Sequence, residues 1–406
     1  MKSQTPILVK KFGGTSVGTI DRIQSVAQRI KRDRTPNSAP VLVVSAMSGE
    51  TNRLVTMSEQ IHPHYRGPAY DMLVASGEQV SVALVALALE KLGLKARPYL
   101  AHQLGIHTDS MYSKARIQRI DTKNILKDIE EGIIPIVAGF QGVDEFDNIT
   151  TLGRGGSDTT GVALAAALGA KECEIYTDVP AVFTADPRIV PKAREIKKLS
   201  FDEMIEMASL GSKVLHIRSV EIGAKYGVKI HVRSTFEARV GTWVVPEGDE
   251  MENPAVTSIT HEEKTTVFKL SPIPPGVESL ASLFEALATE GVIIDIITQS
   301  QISDGQQLAF SVPNEDAHAS KEIITKQFGS KVKTEIMEDV SKLSIVGVGM
   351  RNHPGVAAKF FRVLADKKIK VHLVTTSEIK VSAVINSGEL AAAAQALHFA
   401  FGLDKE

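Results

Sequence analysis

Two residues ahead of a glycine pair stands a lysine, in Lys11-Phe12-Gly13-Gly14-Thr15-Ser16. Residues 7–11 read as a strand, so this segment falls at a strand end and ahead of a helix. Paired glycines let a bound group approach the backbone, and N–H groups near a helix start favour an anion. Lys11 adds a fixed positive charge. The lysine precedes the glycines, so this is not a GxxxxGK loop. A tight strand-to-helix turn with a surface lysine accounts for the same residues. A richer segment is Leu152-Gly153-Arg154-Gly155-Gly156-Ser157-Asp158-Thr159-Thr160. Three glycines and an arginine run straight into an alanine-rich helix. The helix start attracts negative charge, and a guanidinium can grip a carboxylate or phosphate with two hydrogen bonds. Capping a helix needs a single Ser or Asp, so the glycines and Arg154 exceed that demand.

Four further segments have chemical and plain readings side by side. Tyr176-Thr177-Asp178-Val179-Pro180 and the following Phe183-Thr184-Ala185-Asp186-Pro187-Arg188 come after a strand end, where open α/β sheets bind ligands. Asp178 suits orienting a lysine or a metal-bound water, and Arg188 suits phosphate; an Asx turn before proline fits equally. In Ser76-Gly77-Glu78, Ser76 is the expected cap of a helix over 76–91 and Glu78 its first-turn carboxylate. Ser45 to Thr51 closes a buried strand with hydroxyls and glycine, as either an active-site loop or a surface turn does. His62-Pro63-His64 has only Glu59 nearby as a third ligand, so a solvated loop is expected and no resident metal site. No GxSxG elbow occurs, and Cys173, in or beside a strand, is expected to be packed.

These segments need elements to place them. Residues 19–31 have the helical apolar spacing Ile20, Ile23, Ala27, Ile30. Residues 41–44 are apolar throughout, as in a strand buried on both faces. Residues 133–138 (despite Pro135), 174–177 and 229–233 are further strands, and 158–168 a helix stopped by Gly169. Such alternation predicts an α/β sheet with helices on both faces. Residues 246–254, PEGDEMENP, predict a linker. A weak repeat follows. Each copy has a strand (267–270; 343–348), a Pro-Gly turn, a helix (280–289; 356–365) and a strand (292–300; 369–377), and another strand after it (307–312; 380–385). Two βαββαβ units that pack together are expected, since neither builds a large core alone.

The 406 residues suggest two or three domains. The balance of 46 Lys+Arg against 48 Asp+Glu argues against a nucleic-acid binder. One cysteine excludes an internal disulfide framework and fits a reducing compartment. No uninterrupted apolar run approaches the ~18–20 residues of a membrane helix, and residues 1–14 lack a signal-peptide core. The expectation is a cytoplasmic protein with neither nucleic-acid nor membrane partners.

Taken together, the segments resemble the aspartate kinases of the amino acid kinase family. The resemblance is carried by KFGGTSV (11–17), VVSAMSGETNRL (43–54), SGE (76–78), AGFQG (138–142), TTLGRGGSDTT (150–160), YTDV (176–179), TADPR (184–188) and GSKVL (211–215), in order. GMRNHPGVAAKF (349–360) and TSEIKVS (376–382) look like the second of two ACT units. The resemblance implies a three-layer αβα sandwich of the amino acid kinase type over 1–245 and a linker over 246–262. Two α+β ACT domains would follow, over 263–338 and 339–406. No homoserine dehydrogenase domain follows, as in monofunctional forms. It further implies phosphoryl transfer from ATP, with Mg²⁺, to the side-chain carboxylate of L-aspartate. That acceptor is already ionised, so like-charge repulsion is the problem, and positioning and electrostatics must solve it.

By the same resemblance, Lys11 and Lys213 stabilise phosphates with Gly13 and Gly14, and Asp158 organises the catalytic lysine. Phe12, Ser45, Ser157, Thr177, Asp178, Phe183, Arg188 and Val214 belong to the ATP site. Arg154 pairs with a substrate carboxylate and Glu78 with its ammonium, while Thr51, Gly155, Gly156 and Ser157 line the substrate site. An effector, lysine or threonine, would meet Met350, His353, Pro354, Gly355, Val356, Thr376, Ser377 and Glu378. ACT pairing implies a homodimer or higher oligomer. The chain departs from the family at Pro180-Ala181, at Ile273-Pro274-Pro275-Gly276, and at Ile293 and Lys370. An isoleucine cannot hydrogen-bond an effector's polar ends. The rival readings are another amino acid kinase, of glutamate type, and an inactive amino-acid sensor.

Overall fold

The computed structural model describes residues 6–35, 38–212, 214–248 and 254–405. They form two units. The first comprises residues 1–182, 195–209 and 213–249, and the second 183–194, 210–212 and 250–406.

Eight described strands make the main sheet of the first unit. Their spatial order is Lys198–Ser200, Thr242–Val245, Lys229–Ser234, Glu172–Thr177, Ile7–Phe12, Ala39–Val44, Ile134–Ala138, Ala96–Tyr99. Pairing is parallel except between Lys229–Ser234 and Thr242–Val245. Strand alternation divides the side chains between two faces. Phe12, Leu42, Val44, Ile136 and Tyr176 pack with Ile23, Val26 and Ile30 of the helix Ile20–Asp33 and with Val82, Val85 and Leu89 of the helix Pro68–Lys91. Lys11 and Cys173 point the other way, toward the helix Gly156–Ala167. A Cβ added at Gly161 would lie 3.2 Å from Lys11 Cβ and 3.5 Å from Cys173 Sγ. The expected three layers are present. Thr19 caps the first helix by accepting from Arg22 N.

The long helix departs from expectation. It begins at Pro68, a favoured first helical residue, and not at Ser76. Ser76 lies in mid-helix and donates its hydroxyl to Leu73 O at 2.7 Å, so Glu78 is not a first-turn carboxylate. By length and composition this helix could span a bilayer. It instead packs on the sheet and buries Asp71 and Glu78, as a core helix does.

In the second unit six antiparallel strands run in the order Ile297–Ile302, Gly305–Pro313, Ser258–Ile273, Lys333–Val346, Lys380–Asn386, Val371–Thr376. The two central strands are long and serve both repeats. Residues 258–262, expected in the linker, are strand. They pair with 342–346, so the second repeat takes its last strand from chain that precedes the first. Segment 183–194 also belongs here. Ala185 and Val190 share a core with Leu343, Ile345, Phe360 and Leu397, and Thr184 Oγ1 lies 2.9 Å from His398 Nε2.

Candidate active site

Lys11 ends up beside Asp158 because its strand and the glycine-led helix touch at Gly161. The ammonium lies 2.5 Å from Asp158 Oδ1, with the side chains 10% and 12% exposed. Helix Gly156–Ala167 starts immediately after Gly155, which has φ +67° and so needs glycine. First-turn N–H groups have no carbonyl to reach within the helix. Ser157 and Asp158 therefore sit where an anion is favoured.

Glu78 arrives from the long helix. Gly77 allows the approach, since a Cβ there would lie 2.8 Å from that of Ala46. Glu78 is 2% exposed. Its Oε1 accepts from Ala46 N at 2.9 Å, while Oε2 is buried without a partner. Burial pushes the carboxyl up to about 8. These residues enclose a cleft of about 280 Å³. It is lined by Lys11, Gly14, Ser45, Ala46, Met47, Ser48, Gly49, Thr51, Glu78, Phe140, Gly153, Arg154, Gly155, Gly156, Ser157 and Asp158. Arg154 is exposed. One small space thus holds a buried carboxyl, an exposed guanidinium and a paired ammonium. That set can hold a zwitterion by both ends and still present a cation to a phosphate.

The remaining expected residues fall elsewhere. Phe12 is in the core, stacked on Tyr176 with centroids 4.7 Å apart. Gly13 spends its N–H on Tyr176 O at 3.0 Å, because the turn must close there. Thr177 donates to Asp178 Oδ1 at 3.2 Å, Asp178 is exposed, and neither lines the cleft. Val214 is half-buried, and Lys213 lies outside the described residues. Phe183 and Arg188 belong to the second unit, where the Arg188 guanidinium is tied to Asp186 at 2.6 Å. Of the effector residues, Met350 and Val356 are half-buried; His353, Pro354, Gly355, Thr376, Ser377 and Glu378 are exposed. Arg351 Nε lies 3.4 Å from Glu378, linking the two segments. Among the described residues no group of three His, Cys, Asp or Glu could hold a metal. Cys173 is buried, and desolvation raises its thiol.

Sequence reasoning missed Phe140, which has φ +71°, and the polar supports behind the loop, Asp71 and Arg218. Phe140 lies inside the quoted segment 138–142 without having been singled out; nothing in the local sequence marks Asp71 or Arg218, because their partners are backbone groups distant along the chain.

Residues 6–234 match the amino acid kinase family model, and 343–401 match an ACT domain. The chain belongs to the amino acid kinase family. Relatives that match it end to end are aspartate kinases. An aspartokinase of Geobacillus stearothermophilus is 47% identical over 401 residues, covering 98% of each chain. An aspartate kinase of Stutzerimonas stutzeri is 46% identical over 404 residues, again covering 98% of each. E. coli aspartokinase III, solved with aspartate and ADP, shares the fold with a TM-score of 0.82 at 24% identity, over 97% of this chain and 99% of that one.

Proposed function

We propose that this chain is an aspartate kinase. It transfers the γ-phosphoryl group of ATP to the side-chain carboxylate of L-aspartate, giving 4-phospho-L-aspartate and ADP, the first step toward lysine, threonine and methionine. The observation that carries the reading is the convergence of Glu78, Arg154 and the Lys11–Asp158 pair on one cleft.

In this reading the aspartate ammonium meets Glu78 Oε2, whose buried oxygen lacks a partner. Arg154 takes the α-carboxylate. The β-carboxylate oxygen attacks the γ-phosphorus, the bond to the ADP oxygen breaks, and no proton need move. Lys11, held by Asp158, faces the negative charge of the transferring group, together with Lys213 and the N–H groups around Gly14 and Ser157. Ser45 and Thr51 line the substrate space; Thr177, Asp178 and Val214 serve the nucleotide. Mg²⁺ normally keeps several waters and is carried by phosphates with one or two carboxylates. Carried by the phosphates in this way, the ion would neutralise their charge. Residues 1–245 are then the kinase domain and the second half the ACT domains, with lysine or threonine as effector, ACT-mediated dimers or larger assemblies, and a cytoplasmic location.

An ADP-release assay tests this, with aspartate, glutamate or no acceptor, then with lysine, threonine and both added. Aspartate-dependent ADP release is expected; release with glutamate alone overturns the reading. A second expectation concerns Arg154→Ala. Loss of one charge-assisted contact, about 1.5–3 kcal/mol, should raise the aspartate KM at least tenfold and leave the ATP KM within twofold. An unchanged aspartate KM removes Arg154 from the substrate.

A further inference from the structure

Arg154 stands between Gly153 and Gly155, both in the left-handed region with φ +77° and +67°. Glycine adopts many conformations at little cost, so local preference does not hold this loop in place. Its flanks do. Asp71, wholly buried in the helix Pro68–Lys91, accepts from Thr151 N at 2.6 Å and from Ser113 N at 3.0 Å. Arg218, in the helix Ile217–Tyr226, donates to Leu152 O at 2.6 Å and to Ala115 O at 3.0 Å. Ala115 N closes the arrangement by donating to Thr151 O at 2.9 Å. One carboxylate therefore takes N–H groups, and one guanidinium takes carbonyls, from the same two segments at the loop's entrance.

Both charges are desolvated. Burial pushes the Asp71 carboxyl up and the Arg218 guanidinium down. Their hydrogen-bond partners are backbone dipoles, an arrangement weaker in stability than an apolar filling often is. It does fix the position of a glycine-flanked backbone in two directions.

We propose that Asp71 and Arg218 are positioning residues for the amino-acid substrate, holding the loop so that Arg154 meets its carboxylate. This rests on the reading of Arg154 given above. The test measures ADP release by the full chain with aspartate and ATP varied separately, for Arg218→Gln, Arg218→Lys, Arg154→Ala and the double variant Arg154→Ala/Arg218→Gln. Arg218→Gln should raise the aspartate KM tenfold or more with the ATP KM within twofold, and Arg218→Lys should recover part of the loss. In the Arg154→Ala background, Arg218→Gln should add less than twofold. An unchanged aspartate KM in Arg218→Gln, parallel rises in both KM values, or full multiplication of the two losses overturns the proposal. If Arg154→Ala alone leaves the aspartate KM unchanged, the reading of Arg154 is what has failed. Should Arg218→Gln not fold, Asp71→Asn replaces it: the amide keeps one acceptor oxygen but must turn a donor toward a backbone N–H, and the same split is expected.

Discussion

Lys11→Ala is expected to lower kcat by about 10²–10³-fold, the usual loss when one preorganised donor to a developing anion is removed. The ammonium is not replaceable by solvent, since it is 10% exposed and fixed 2.5 Å from Asp158. The same substitution leaves Asp158 buried without its cation, which typically destabilises by about 3–5 kcal/mol. Activity and folding must therefore be read apart. Lys11→Met with Asp158→Asn removes both charges and keeps the volume, so it should melt close to the parent protein and remain inactive. Circular dichroism melts beside ADP-release assays check this. A double variant that is well folded and retains more than a tenth of parental kcat would show that this pair is not what offsets the phosphate charge.

Glu78 makes the second large prediction, and it is one of pH. The carboxyl rises from 4.5 to about 8 in the folded protein because burial desolvates it and the backbone N–H groups near it, Ala46 N foremost, offset only part of that cost. Between those values the folded state keeps a proton that the unfolded state has lost. Stability from this group therefore falls as pH rises through the window, by about 1.4 kcal/mol per unit. Below pH 4.5 the penalty is absent. Glu78→Gln should remove the slope and raise the urea midpoint at pH 7 relative to pH 5. The catalytic consequence has the opposite sense. An ammonium is held by the ionised carboxylate, so the aspartate KM should fall several-fold to about tenfold per unit from pH 6 to pH 8 and then level off. Glu78→Gln should raise the aspartate KM and flatten that dependence. A parent enzyme whose aspartate KM is constant from pH 6 to pH 8 would sink the assignment.

What could be read from the sequence was whatever announces itself locally. The strand Ile7–Phe12, the helix Ile20–Asp33 and the glycine-led helix Gly156–Ala167 each carry their own signal of periodicity or stop. Glu78 was singled out for the wrong local reason. The sequence suggested capping at Ser76, whereas the helix starts at Pro68, and its exposed positions carry Met72, Val80 and Leu87 as well, so no amphipathic period marks its true start. Gly13 looked like a free amide, but the turn consumes its N–H at Tyr176 O. Asp71 and Arg218 were invisible because their partners lie up to 103 positions away along the chain. The strand formed by 258–262 was hidden for the same reason: its mate at 342–346 comes after an entire repeat.

The placement of residues 183–194 bears on how this molecule can be divided. Those twelve residues leave the kinase sheet and return to it, yet Ala185 and Val190 are walled in by side chains from beyond position 340. Gln395 and Arg194 stitch the same strip to the final helix region through Ile189 O and Leu403 O. A stop codon near position 250 would not leave a finished catalyst: it would leave a fragment whose strip at Ala185 and Val190 lies in water, without the later side chains that cover it.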